Sequence, residues 1–384
     1  MTELSDDGFA LSDKAELEYW FHLAKKRPGS LRLDKGEPDF PAHPVIIEAA
    51  RELIRGGRVK YSSGIPELKK AIANRLGERI GVEFCPNTEV CITHGAMGGL
   101  FASFAVLARN GEHIGIPDIC WPTFRLLIEA AGVVPVEYSA FPKRTNRALP
   151  ESMGSIVVNT PHNPTGIVLS AEQIHDLARM ARRANAWVVS DETYEAMTFA
   201  QERHISIASL PGMRERTLLV GSFSKTYCMT GWRIGYVAGP RSIVRRIAGV
   251  SHLTTGGVSQ IAQEAALAAL TVPQSHIDNM VAAYERRMRF AATALSSCSY
   301  LSIMPPGGTF YLWVGVGNCS GSSRDFARRL LDTYGVASVP GAVFGSAGEG
   351  YIRLSLTVEE DQLKPAMERF IECANSFQQR PVCV

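Results

Sequence analysis

Between residues 88 and 240 short apolar runs alternate with longer amphipathic stretches. The runs fall at 90–93, 113–116, 155–158, 187–190, 218–220 and 234–237, and most lack a polar face. Strands of that kind are buried on both sides, which predicts a mostly parallel sheet covered by helices on both faces. Upstream, 44–55 and 66–80 carry helical periodicity around a turn at Ser62-Ser63-Gly64, and a shorter helical pattern ends at Pro28-Gly29. Past Pro240 the pattern turns helical, with one long stretch running toward residue 296. From 297 to 375, strands at 310–314 and 351–356 mix with helices at 323–334 and 359–376, which predicts a smaller α+β domain. There is no internal repeat and no low-complexity linker, and residues 378–384 read as a frayed tail.

A chain of 384 residues exceeds one small core and predicts two domains, one large and one small. A hydrophobic fraction of 46% with 20% charged residues is that of a globular protein. The net charge of +2 offers no surface for nucleic acid or a membrane. No apolar stretch is long enough to span a bilayer, and residues 1–9 lack the pattern of a signal peptide. The eight cysteines form no C-x-x-C pair, so they predict reduced thiols in the cytoplasm rather than disulfides or a zinc site, and no metal site is expected.

Two motifs imitate others. Gly315-Val316-Gly317-Asn318-Cys319-Ser320-Gly321 has its third glycine one residue too late for a dinucleotide fingerprint, and reads as a turn. Gly221-Ser222-Phe223-Ser224-Lys225-Thr226 lacks the glycine before lysine that a P-loop requires. His94 and His162 have no metal-ligand partner at sequence spacing and read as loop residues.

The residues with chemistry follow the ends of separate strands: Gly95-Ala96 after 93, Asn163 after 159, Asp191 and Tyr194 after 190, and Ser222, Ser224 and Lys225 after 221. Ligands of open parallel sheets bind beyond the carboxyl ends of strands. Each group suits one part of a pyridine aldehyde phosphate. A lysine amine forms a Schiff base with an aldehyde. A carboxylate such as Asp191 keeps a pyridinium nitrogen protonated. Asn163 and Tyr194 can bond a phenolic oxygen. Amides at a helix start (Gly95, Ala96) can hold a phosphate, aided by Ser222, Ser224 and Arg233, while Trp121 can stack on the ring. Each also has a plainer reading. Lys225 could be a solvated lysine, Asp191 a helix cap, Asn163 a turn residue, Tyr194 and Trp121 core aromatics, Arg233 and Arg353 surface residues, and Gly36 a turn glycine.

Taken together, Gly36-Glu37-Pro38-Asp39-Phe40, Tyr61 with Gly64-Ile65-Pro66-Glu67-Leu68, Thr93-His94-Gly95-Ala96-Met97, Pro117-Asp118-Ile119-Cys120-Trp121-Pro122, Asn159 to Gly166, Asp191-Glu192-Thr193-Tyr194, Ser222 to Thr226, Gly231 to Tyr236 and Tyr351-Ile352-Arg353-Leu354-Ser355 occur in an order that resembles fold type I pyridoxal-phosphate enzymes of the class I/II aminotransferase family. The resemblance implies an α/β fold, with a large domain whose mostly parallel, seven-stranded type of sheet is sandwiched by helices and a smaller α+β domain built from both chain ends. It implies an arm at 1–45, a pyridoxal-phosphate domain at 46–285 and a small domain at 286–384. It further implies pyridoxal 5′-phosphate on Lys225, with Gly95, Ala96, Met97, Trp121, Asn163, Asp191, Tyr194, Ser222, Ser224 and Arg233 around it. Tyr61 would reach the phosphate in the neighbouring subunit of a homodimer with active sites at its interface. Gly36, Asn163 and Arg353 would bind the substrate, an amino acid and then a keto acid. Met97 departs from the polar residue common at its place, and Phe124 from a frequent tyrosine. The implied reaction is transamination, and a β/γ-eliminase or cyclase would use the same cradle. A non-enzymatic regulator would carry a DNA-binding domain ahead of Gly36, for which the chain leaves no room. No arginine stands out in Thr254-Thr255-Gly256-Gly257-Val258, which leans away from a dicarboxylate substrate.

Overall fold

The computed structural model of the protein describes residues 16–108, 113–139, 153–199, 202–317, 319 and 321–378. The polar start at 1–9, Asn318 and Ser320 of the glycine-rich stretch, Cys383 and nearly all of the tail lie outside them. The amino-terminal part holds α1 (Glu16–Lys25), β1 (Leu31–Arg32), α2 (Pro44–Arg55) and α3 (Pro66–Ile80). There follow β2 (Val90–Thr93), α4 (Gly95–Leu107), β3 (His113–Pro117), α5 (Thr123–Ala130), β4 (Pro135–Tyr138), β5 (Met153–Asn159), α6 (Ala171–Arg183), β6 (Trp187–Asp191), β7 (Thr217–Ser222) and β8 (Gly235–Ala238). The remainder is α7 (Arg241–Thr255), α8 (Gln260–Ala269), α9 (Gln274–Ser296), β9 (Ser302–Ile303), β10 (Tyr311–Gly315), α10 (Ser323–Asp332), β11 (Val336–Ala337), β12 (Val339–Pro340), β13 (Tyr351–Ser355) and α11 (Glu360–Gln378).

Strands β2 to β8 form one seven-stranded sheet in the order β2-β8-β7-β6-β5-β3-β4. The α/β fold expected from the apolar runs is thus present. The β3–β4, β3–β5, β5–β6 and β6–β7 pairs are parallel. Only β8 runs against the rest, antiparallel to both β2 and β7. The edge strand β4 was not among the apolar runs: Pro135-Val136-Glu137-Tyr138 includes a charged residue, and its two middle positions are only half-buried.

Burial explains the layers. Helix α4 is apolar all round, and Leu100, Phe104 and Leu107 bury against Val157, Val220 and Val237 of the sheet. Across the sheet, Leu68, Ile72 and Leu76 of α3 pack with Ile92, Leu219 and Tyr236. α6 begins on a capping box between Ser170 and Gln173, which satisfies free amides of its first turn. A separate cluster joins Trp20 of α1 to α9, α10, α11 and the four-stranded sheet β12-β13-β10-β9. The parallel pair β1–β11 stitches the amino-terminal segment to this carboxyl-terminal layer.

Candidate active site

Strand direction decides which residues meet. Strands β2, β3, β5, β6 and β7 all end at one edge of the sheet, so the segments holding Gly95, Trp121, Asn163, Tyr194 and Lys225 emerge together. Because β8 is antiparallel, its beginning lies at the same edge, with Gly235 opposite Thr93 on one side and Ser222 on the other. That reversal delivers Arg233. A cavity of about 300 Å³ opens there, lined by Ala96, Met97, Trp121, Asn163, Asp191, Tyr194, Ser222, Ser224, Lys225 and Arg233. Gly36 and Arg353 complete it from outside the large sheet.

Three cationic side chains face this space. Lys225 Nζ donates to the Gly36 carbonyl at 2.6 Å and lies 6.0 and 5.8 Å from the ring centres of Tyr194 and Phe310. Burial, opposed in part by the charge of Glu37, brings its pKa down to about 8. Arg353 is 2% exposed. Its Nη1 donates to Asn163 Oδ1 at 3.1 Å and its Nη2 to the Asp34 carbonyl at 2.7 Å. Its Nε is buried without a hydrogen-bond partner among the described residues. The nearby Asp34 carboxylate is already held by Arg32 at 2.8 and 2.7 Å. Arg353 is therefore a buried guanidinium that no carboxylate of the described residues pairs with, and such a charge calls for an anionic ligand. Arg233 takes the left-handed conformation at φ 54°, uncommon for a non-glycine residue and enriched at functional sites. Its guanidinium lies against Gly95, where any Cβ would sit 2.8 Å from Nη2. Gly95 itself has φ +63° and opens α4 toward the cavity.

Among the described residues Asp191 is the only acid that the sheet projects into the cavity. It is 5% exposed, and one oxygen accepts from the Thr193 amide at 3.0 Å and the Thr193 hydroxyl at 2.6 Å. Burial raises its pKa against those two bonds. No cationic side chain among the described residues pairs with it. Asn163 spends its oxygen on Arg353, which leaves its NH₂ to donate into the cavity. The Tyr194 hydroxyl meets the Tyr311 hydroxyl at 2.9 Å. Trp121 sets its ring edge-to-face against Phe124 at 5.6 Å. The Ser222 hydroxyl accepts from the Ser224 amide at 3.1 Å, which shapes the turn leading to Lys225.

Tyr61 is not brought to this cavity within one chain: it is 98% exposed. Conversely, several lining residues were not among the expected set. Thr193 and Tyr311 lie on the floor, and Leu17, Glu18 and Phe21 of α1 close one side. An aromatic in an apolar strand such as β10 reads as core, and α1 is remote in sequence from everything it meets here. The seven cysteines of the described residues are free thiols. Among those residues no cluster of acidic, histidine or cysteine side chains is arranged for a metal, and no helix is long and apolar enough to cross a membrane.

Residues 28–370 match the family described as aminotransferase class I and II. The chain is 32% identical to an aspartate aminotransferase of Pyrococcus abyssi, over 94% of this chain and 96% of that protein. It is also 32% identical to aromatic-amino-acid aminotransferase 2 of Thermococcus litoralis, over 94% and 97%. The crystal structure of an aromatic aminotransferase from Pyrococcus horikoshii superposes with a TM-score of 0.88 at 32% identity, covering 94% of this chain and 99% of that one. Those names describe amino-group transfer, and nothing in them favours elimination or cyclisation.

Proposed function

Since the chain belongs to the class I and II aminotransferase family, whose enzymes move an α-amino group from an amino acid to a keto acid, we propose that Lys225 anchors pyridoxal 5′-phosphate in the cavity and serves as the base of that reaction. The observation that carries this reading is the meeting of one half-buried lysine, one buried carboxylate and two arginines at a single sheet edge. The unshared polar groups fit the cofactor. Asp191 offers a carboxylate without a cation, the partner of a protonated ring nitrogen. Asn163 NH₂ and the Tyr194 hydroxyl would hold the ring oxygen, and Trp121 the ring face. The amides of Gly95, Ala96 and Met97, with Ser222, Ser224 and Arg233, would hold the phosphate. When bound, pyridoxal phosphate supplies an aldehyde carbon for the amine and a protonated ring that stabilises negative charge at the substrate Cα.

The chain's own residues do the rest. Arg353 orients the α-carboxylate, with Gly36 and Asn163 beside it, so that the Cα–H bond faces Lys225. The Lys225 amine takes that proton and returns it, a task eased by a pKa lowered by burial. Asp191 keeps the ring-nitrogen proton in place. The ring faces of Tyr194 and Phe310 keep water from the lysine.

The same reading divides the chain into an arm at 1–45, a large domain at 46–285 and a small domain at 286–384; two hydrophobic clusters lie within 46–285, while the carboxyl-terminal cluster also takes in Trp20 and Leu33 of the arm and Tyr194, Met197, Phe199, Met280 and Tyr284 of the large domain. It makes the exposed Tyr61 a contribution to the neighbouring site of a homodimer. Free thiols support a cytoplasmic location. To test the anchor, the purified protein is reduced with borohydride and digested. The cofactor mass should be found on the peptide holding Lys225, and Lys225→Ala should carry none. A label elsewhere, or a protein that takes up no pyridoxal phosphate, would overturn the reading.

A further inference from the structure

Tyr311 stands where the cofactor side and the substrate side of the cavity meet. On β10 it pairs with Ser355, and Trp313 pairs with Arg353. Tyr311 and Arg353 are therefore diagonal neighbours on one face of the small sheet. The Arg353 guanidinium carbon lies 4.5 Å from the centre of the Tyr311 ring. The hydroxyl at the other end of the same side chain is 2.9 Å from the Tyr194 hydroxyl. Tyr311 is 2% exposed, and its tip also packs on the Gly36 backbone, where a Cβ would fall 1.8 Å from the hydroxyl oxygen.

We infer that Tyr311 is a positioning residue of the reaction, holding the Tyr194 hydroxyl by a hydrogen bond and the Arg353 guanidinium by its ring face. The inference rests on the cofactor reading given above and deepens it.

A free hydroxyl rotates, and Tyr194 must aim its proton at the ring oxygen to stabilise charge there. Either hydroxyl can donate in this contact; with the Tyr194 proton turned to the ring oxygen, Tyr311 is the donor, its O–H occupies a Tyr194 lone pair, and Tyr194 keeps one proton with one useful direction. Burial raises the Tyr311 hydroxyl pKa, while the Arg353 charge over the ring and the bond to Tyr194 pull the other way. The Arg353 Nε has no hydrogen-bond partner among the described residues, and the aromatic faces of Tyr311 and Phe344, at 4.5 and 4.8 Å, compensate a charge that burial disfavours. A shift of one tyrosine would thus disturb both the group that tunes the cofactor and the group that binds the substrate carboxylate.

The test uses the cofactor-loaded protein and reads its visible absorption against pH. A bond donated to the ring oxygen favours the deprotonated chromophore, in which that oxygen carries more charge, so loss of that order raises the titration midpoint. Burial keeps the Tyr194 hydroxyl protonated well above the usual range, so the midpoint is not its own ionisation. Tyr311→Phe should raise the midpoint by about half a pH unit, the worth of one neutral hydrogen bond. In a Tyr194→Phe background the same substitution should move nothing. Tyr311→Leu should in addition weaken binding of 3-phenylpropionate, a monocarboxylate probe, about fivefold. A Tyr311→Phe curve overlying the wild type, an equal shift in both backgrounds, or unchanged probe affinity would overturn the inference while leaving the cofactor reading intact. A wild-type protein without a visible band would overturn that reading, and this inference with it.

Discussion

Lys225 Nζ donates to the Gly36 carbonyl at 2.6 Å, across 189 residues of sequence. This contact joins the large sheet to the amino-terminal loop, and Gly36 is held there from behind by Tyr311. Gly36→Ala would place a methyl 1.8 Å from the Tyr311 hydroxyl oxygen and 2.7 Å from its ring carbon. Neither side can yield freely, because Tyr311 is fixed by Tyr194 and buried. The expected result is a loss of about 1–3 kcal/mol in stability, with kcat/KM reduced at least about tenfold. Denaturant unfolding and steady-state kinetics check the two parts.

The lowered pKa of Lys225 has a consequence for stability. Burial brings it from 10.5 to about 8 in the folded chain. Below pH 8 the half-buried lysine carries its charge against that desolvation. Between about 8 and 10.5 the unfolded chain holds a proton that the folded chain has released, so stability rises with pH. The cofactor-free Lys225→Met protein should therefore be more stable than the cofactor-free wild type at pH 7, and the gap should narrow by pH 9.5. Thermal melts at the two pH values would show it.

Behind Asp191, Glu192 anchors a buried ion network. Its carboxylate meets Arg79 at 2.9 Å, His204 at 3.0 Å and Ser190 at 3.1 Å, and also accepts from Ser206. Burial alone would raise its pKa, but the charges of His204 and Arg79 and these bonds hold it down at about 2. Its stabilisation is complete above about pH 4.5 and is lost as pH falls toward 2. Glu192→Gln should destabilise the protein by on the order of 1–3 kcal/mol at pH 7: Arg79 keeps Glu195 at 3.1 Å, but its pair with Glu192 and that of His204 lose the carboxylate charge. Urea unfolding should show the gap closing as the pH approaches 2.

Much of this site was legible before any coordinates. The central strands are apolar enough to announce a covered parallel sheet, and the residues after their ends were therefore candidates for one place. The antiparallel sense of β8 was not legible, since a buried strand reads the same in either direction, yet it is what carries Arg233 to the others. Tyr311 was hidden for a similar reason. In Phe310-Tyr311-Leu312-Trp313 its hydroxyl is the one hint that it is more than core. Leu17, Glu18 and Phe21 meet the cavity only through tertiary packing of α1. Tyr61 was singled out by its motif, and in the fold of one chain it faces solvent.

That position of Tyr61 gives a test of the proposed shared site. Tyr61→Ala and Lys225→Ala should each lower activity when assayed alone. Mixing the two under conditions of subunit exchange should restore about one site in four, since a mixed dimer holds one intact pair. Activity of the mixture equal to the average of the parents would count against a site built by two copies.

The central claim is that this chain takes an amino group from an amino acid and keeps it on its cofactor until a keto acid arrives. Its most direct measurement is a single half-reaction: the loaded protein is mixed with a panel of amino acids and no keto acid, and absorbance and products are followed together. The account predicts conversion to the pyridoxamine form, with about one keto acid released per site, and recovery of the original spectrum when a keto acid is added. Continuous release of ammonia or of a side-chain fragment, with the spectrum returning unaided, would contradict it.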